Sequence, residues 1–135
     1  MTDKPPALSN VDLIRHGFDR YTRDGVDGIV ELADPQIELL TPANPDMQRG
    51  TGPDGLRQSI AGLLEMFDYW TVEPLEYIDL GEHVAVVVHQ HARGKGSGAE
   101  ITSKSAWLFT VRDGKVMRLS LTPDLETACA EAEAL

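Results

Sequence analysis

The chain has 135 residues, of which 41% are hydrophobic, and a formal net charge of −10. That length and apolar content predict one domain with its own core, and the acidic balance argues against nucleic acid and anionic membranes as partners. A single cysteine, Cys129, excludes an internal disulfide, and the longest apolar run, Val84–Val88, is far too short to span a membrane.

Residues 1–8 are polar and proline-containing and carry no apolar segment of the kind a secretory leader needs. They predict a loose lead-in, a domain over 9–135, and a cytoplasmic location. Ser9 with Asp12 resembles a variant capping box. Val11, Ile14, Phe18 and Tyr21 then recur at helical spacing, until Asp24-Gly25 stops the helix. Asp27 opens a short second helix to Leu32. Asp34-Pro35 is a breaker, and Ile37–Thr41 reads as a short strand. A loop rich in turn residues follows, from Pro42 to Gly55. Leu56, Ile60, Leu63, Leu64 and Phe67 form the stripe of a third helix that ends at Tyr69 and Trp70.

The period then changes from helical to strand. Thr71–Asp79, Val84–Arg93, Ile101–Arg112 and Lys115–Leu121 read as four strands. Their connections are Gly81-Glu82-His83, the glycine-rich Gly94–Gly98 segment, and the strong hairpin turn Asp113-Gly114. Pro123-Asp124 starts an alanine- and glutamate-rich helix. Early helices and a late, mostly antiparallel meander predict an α+β fold, with one curved sheet packed across helices.

Strand side chains alternate faces, so His89 and His91 share a face with Ala85 and Val87. If that face lines a cavity, two imidazoles stand in an apolar wall; if it faces water, they are surface histidines. Ser103 and Ser105 share a face with Trp107 and Phe109. That mixture suits a ligand wall or a strand leaving the core. Gly94–Gly98 lacks the Gly-Lys-Ser/Thr ending and following helix of a phosphate loop. No Ser/His/Asp order is readable. His89 and His91 lack a third ligand nearby, so neither a metal nor another cofactor is expected.

Five segments in order resemble the SnoaL-like polyketide cyclase branch of the nuclear-transport-factor-2-like proteins. They are Asp24–Leu32, Arg49-Gly50 with Gly55-Leu56-Arg57, Gly94–Gly98, Phe109–Val116 and Asp124–Ala128. The resemblance implies a cone: a strongly bent sheet wrapped around helices, with a pocket at the wide end. It also implies a homodimer built on the outer sheet face. Thr41, Gly17 and Trp107 fall where the steroid isomerases of this superfamily carry their catalytic groups, so that chemistry is not expected.

By the same resemblance, Ala85, Val87, His89 and His91 would face the cavity with Ser105, Trp107 and Phe109. Leu39, Thr41, Leu119 and Leu121 would join from the first and last strands, and Phe18 and Phe67 would close it from the helices. Two readings follow. In one, His89 is the acid–base group of an isomerase-, cyclase- or dehydratase-type enzyme and His91 orients substrate or shares its proton. In the other, the pocket binds a small apolar or polyketide-like ligand without turnover.

Overall fold

The computed structural model describes residues 9–40 and 50–134. Helix α1, Asn10–Asp24, opens where Ser9 Oγ accepts the Asp12 backbone N–H at 3.1 Å. Gly25 ends it at φ 72°, with its N–H on the Tyr21 carbonyl at 2.8 Å. Helix α2, Val26–Val30, crosses back against α1. The approach at Gly28 is close: a Cβ there would lie 2.5 Å from the Arg20 carbonyl oxygen.

Strand β1, Ala33–Leu40, runs through Asp34-Pro35 instead of starting after it. The Asp34 carboxylate accepts the Gln36 N–H at 2.8 Å, and the pairing shifts register between Ala33 and Glu38. The pair thus forms an irregularity inside a strand rather than a stop. A two-residue strand β2, Gly50–Thr51, pairs with β1 where a loop was expected. Helix α3, Gly52–Glu65, has its proline in the first turn, where the missing N–H costs no helical bond.

Strand β3, Phe67–Leu80, begins four residues earlier than the sequence predicts. Phe67 therefore opens a strand, paired with Gly94, instead of closing a helix. The run Phe67-Asp68-Tyr69-Trp70 is dense in aromatic residues that fit a pleated surface, and tertiary pairing decides the outcome. Pro74 is tolerated because β3 is an edge strand and its pairing bulges between Pro74 and Glu76. Strands β4, His83–Gly94, β5, Glu100–Arg112, and β6, Lys115–Thr122, form the meander. Helix α4, Leu125–Ala134, closes the chain.

The sheet order is β2-β1-β6-β5-β4-β3, antiparallel except for β1 against β6. The register breaks in β3 and β5 add bend and twist. Helices α1 to α3 fill the inner face. There Leu13, Ile14 and Leu56 meet Val84, Val86, Val88, Trp107 and Leu119 in the main core. A smaller core sits on the outer face, where Ala128 of α4 packs on Ala85, Ala106 and Leu108. The molecule is the expected α+β assembly of a bent, mostly antiparallel sheet around N-terminal helices. No helix among the described residues is long and apolar enough to cross a membrane.

Candidate functional site

A cavity of about 90 Å³ lies between the inner sheet face and the three N-terminal helices. Helix α1 contributes Phe18 and Tyr21 to its wall, and α3 contributes Leu56, Ser59 and Leu63. The sheet contributes Leu39, Trp70, Val72, Trp107, Phe109, Leu119 and Leu121. One wall is a continuous aromatic surface. Phe18 and Trp107 lie nearly parallel, with ring centroids 6.4 Å apart and 18° between planes. Phe109 meets Phe18 edge-on at 5.8 Å, and Trp70 meets Trp107 at 6.1 Å. Such contacts present flat apolar surface.

Two side-chain hydroxyls, of Tyr21 and Ser59, belong to this wall. Burial pushes the Tyr21 phenol above its ordinary pKa, so it keeps its proton. None of the described lining residues is Asp, Glu, His, Lys, Arg or Cys. Among the described residues, no three His, Cys, Asp or Glu side chains could jointly hold a metal ion.

Phe18, Leu39, Trp107, Phe109, Leu119 and Leu121 thus stand where the sequence reading placed them, on the cavity wall. Phe67 does not, because it sits at the start of β3 beside Gly94. Thr41 lies outside the described residues.

His89, His91 and Val87 require a correction of face. Residues opposite each other on paired strands point to the same side. Trp107 and Phe109 pair with Val86 and Val84, so the inner row of β4 is Val84, Val86, Val88, Gln90 and Ala92. Val87, His89 and His91 belong to the other row, opposite Ala106, Lys104 and Thr102, on the outer face. His91 Nε2 lies 3.3 Å from the Tyr69 hydroxyl, which donates to Glu100 Oε1 at 3.2 Å. With that hydroxyl proton committed to Glu100, the imidazole Nε2–H donates to Tyr69. Slight desolvation, and then the bond to Glu100, raise the pKa of the Tyr69 phenol, which stays exposed.

The pairing register carries the decisive signal. Six residues, 94–99, separate the paired residues Arg93 and Glu100. An even spacing pairs odd-numbered residues with even-numbered ones. Inward Trp107 and Phe109 therefore require inward even-numbered valines and outward histidines.

The same register brings in a residue the sequence reading passed over. Gln90 Oε1 accepts the Trp70 indole N–H at 2.9 Å, and its Nε2 donates to Ser105 Oγ at 3.0 Å. Ser105 shares the inner row of β5 with Trp107 and Phe109 but does not line the cavity.

The family model of the SnoaL-like domain matches residues 14–119. None of the curated proteins matches the sequence. Among solved structures, TerC, co-crystallised with polyporic acid, is 21% identical, with a TM-score of 0.75 over 93% of this chain and 98% of that one. An NTF2-like protein of Burkholderia thailandensis is 19% identical, with a TM-score of 0.77 over 93% of this chain and 98% of that one. A Catenulispora acidiphila protein of ketosteroid isomerase-like fold, in complex with trimethylamine, is 15% identical. Its TM-score is 0.73, over 90% of this chain and 92% of that one. At these identities the structures speak for the fold alone. The bent sheet, the helices inside it and the family match over most of its length agree: the chain belongs to the SnoaL-like domain family, with the nuclear-transport-factor-2-like fold.

Proposed function

We propose that the inner cavity binds a small, flat, mostly apolar ligand of polyketide-like character. The observation that carries this reading is the aromatic wall of Phe18, Trp70, Trp107 and Phe109 beside Tyr21, the one titratable group among the described lining residues. Selection then comes from shape and dispersion, with Tyr21 Oη–H donating one hydrogen bond to a ligand oxygen. Two proteins of the same fold, TerC with polyporic acid and the Catenulispora protein with trimethylamine, were crystallised with small molecules, which supports a small-molecule guest.

A second reading, acid–base turnover of isomerase or cyclase type, is favoured by the same phenol. A desolvated, protonated tyrosine aimed at a carbonyl can stabilise the oxyanion that forms when a neighbouring C–H is lost. His89 and His91 have no part in it, because they stand on the other face of the sheet.

Calorimetric titration with 2-naphthol tests the binding reading. Saturable binding that weakens at least tenfold in Leu121→Trp, with the melting temperature held, is the expected result. Affinity unchanged when the cavity is filled would overturn it.

We also propose that two copies associate through the outer sheet face. Glu73 and Glu76 on β3 flank His89, with Lys104 on β5 beyond it. A two-fold axis along the strands would lay the acidic edge of one copy over the basic strip of the other. Sedimentation should show a dimer that Lys104→Glu weakens; a monomer at tens of micromolar would refute it.

A further inference from the structure

Gln90 is the one polar residue in the inner row of β4. Its neighbours in that row are Val88, fully buried, and Ala92, 3% exposed. An amide among such residues costs free energy unless its polar atoms are paired. Here both ends are paired, and across three strands. The indole N–H of Trp70 on β3 can only donate, so it must face Oε1. Nε2 is thereby turned to Ser105 on β5. The orientation of the amide follows from the chemistry of its partners.

We infer that Gln90 is a positioning residue: it holds the Trp70 ring flat against the cavity and so sets the preference for planar guests. The inference rests on the binding reading above and deepens it. Trp70 lines the cavity and abuts Trp107, which in turn stacks on Phe18. Trp70 is only half-buried and sits near the start of an edge strand beside a register break. Packing alone leaves such a ring free to rotate, and a directional bond to its N–H removes that freedom. Gln90 itself does not line the cavity, so its effect on a ligand passes through the indole.

The chain has two tryptophans, both on the cavity wall, so a ¹H–¹⁵N spectrum shows two indole N–H resonances that report the site directly. In Gln90→Met one of them should move and broaden while the other holds. The affinity for 2-naphthol should fall about tenfold, as loss of one such bond predicts. The affinity for cyclohexanol, compact and non-planar, should change by less than about twofold on the same scale. Indole resonances unmoved by Gln90→Met, or equal weakening of both probes, would overturn the inference. If Gln90→Met does not fold, Ser105→Ala decides. It frees Nε2, and should shift the same resonance and lower the 2-naphthol preference about threefold; no change in either would overturn it. If the unmodified protein binds neither probe, the binding reading falls, and the indole resonances alone decide the role of Gln90.

Discussion

The two faces of β4 are made from one stretch of chain yet do different work. The inner row, Val84, Val86 and Val88, is fully buried against helices and aromatic rings. The outer row begins the same way, with Ala85 at 0% exposure beneath α4. Beyond the reach of that helix it turns polar, at His89 and His91, which stand opposite Lys104 and Thr102 on β5. Alternation alone therefore does not say which row is the core. Coverage by helices decides, and a one-residue change of parity exchanges a ligand wall for a surface.

A matched pair of substitutions tests that contrast most severely. Val86→Asp puts an unpaired carboxylate among apolar groups, and should cost more than about 4 kcal/mol and abolish a cooperative thermal transition. Val87→Asp, one residue on, stands half-exposed on the outer face and should cost about 1–2 kcal/mol. Equal losses in calorimetry would mean that the two rows are equally buried. Leu108→Ala sharpens the comparison from the other side. Leu108 is 1% exposed on the outer face, under α4. Its truncation should cost about 2–5 kcal/mol in urea unfolding, as for any core leucine. A smaller loss would show that α4 is only loosely docked.

The legibility of this molecule in its sequence divides along the same line. The stripe of α1, its serine cap, the Asp113-Gly114 turn and the order of helices before strands each state one structure, because local signals and global packing agree there. The inward set Phe18, Leu39, Trp107, Phe109, Leu119 and Leu121 was readable for the same reason: large apolar groups leave little choice of face. The histidines were not, since Ala85 and Val87 look as core-like as Val84 and Val86. Only the pairing register across residues 94–99 tells the rows apart. Phe67 was misplaced because a helical stripe can run by chance into an aromatic strand. Gln90 carried no sequence signal, as its role depends on an indole twenty residues away.

Ligand affinity separates the faces more finely. His89→Ala and His91→Ala should each leave 2-naphthol binding within about twofold of the unmodified protein, since neither ring reaches the cavity. Tyr21→Phe should weaken it several-fold, about the worth of one hydrogen bond, while an oxygen-free probe such as naphthalene loses nothing. A histidine variant that binds less well than Tyr21→Phe would return the outer face to the site.

The smallest effect is a pH dependence, and its sign follows from burial. Tyr21 and Tyr77 are both held above the ordinary phenol value, chiefly by desolvation, with Arg15 opposing the shift at Tyr77. On raising the pH, the unfolded chain gives up these protons first, near pH 10. Between that point and the higher folded value the unfolded state binds fewer protons, so stability falls as pH rises through the window. The contribution is complete below pH 10 and lost above the folded value. Tyr69, on the outer face, is raised too, but partly by its bond to Glu100, so it serves as a control. In urea titrations from pH 9 to 11.5, Tyr21→Phe with Tyr77→Phe should flatten the alkaline decline. Tyr69→Phe should flatten it less, because an exposed phenol is largely screened by solvent. Were Tyr69→Phe to remove most of the decline, the buried phenols of the cavity side would not be the groups that set it.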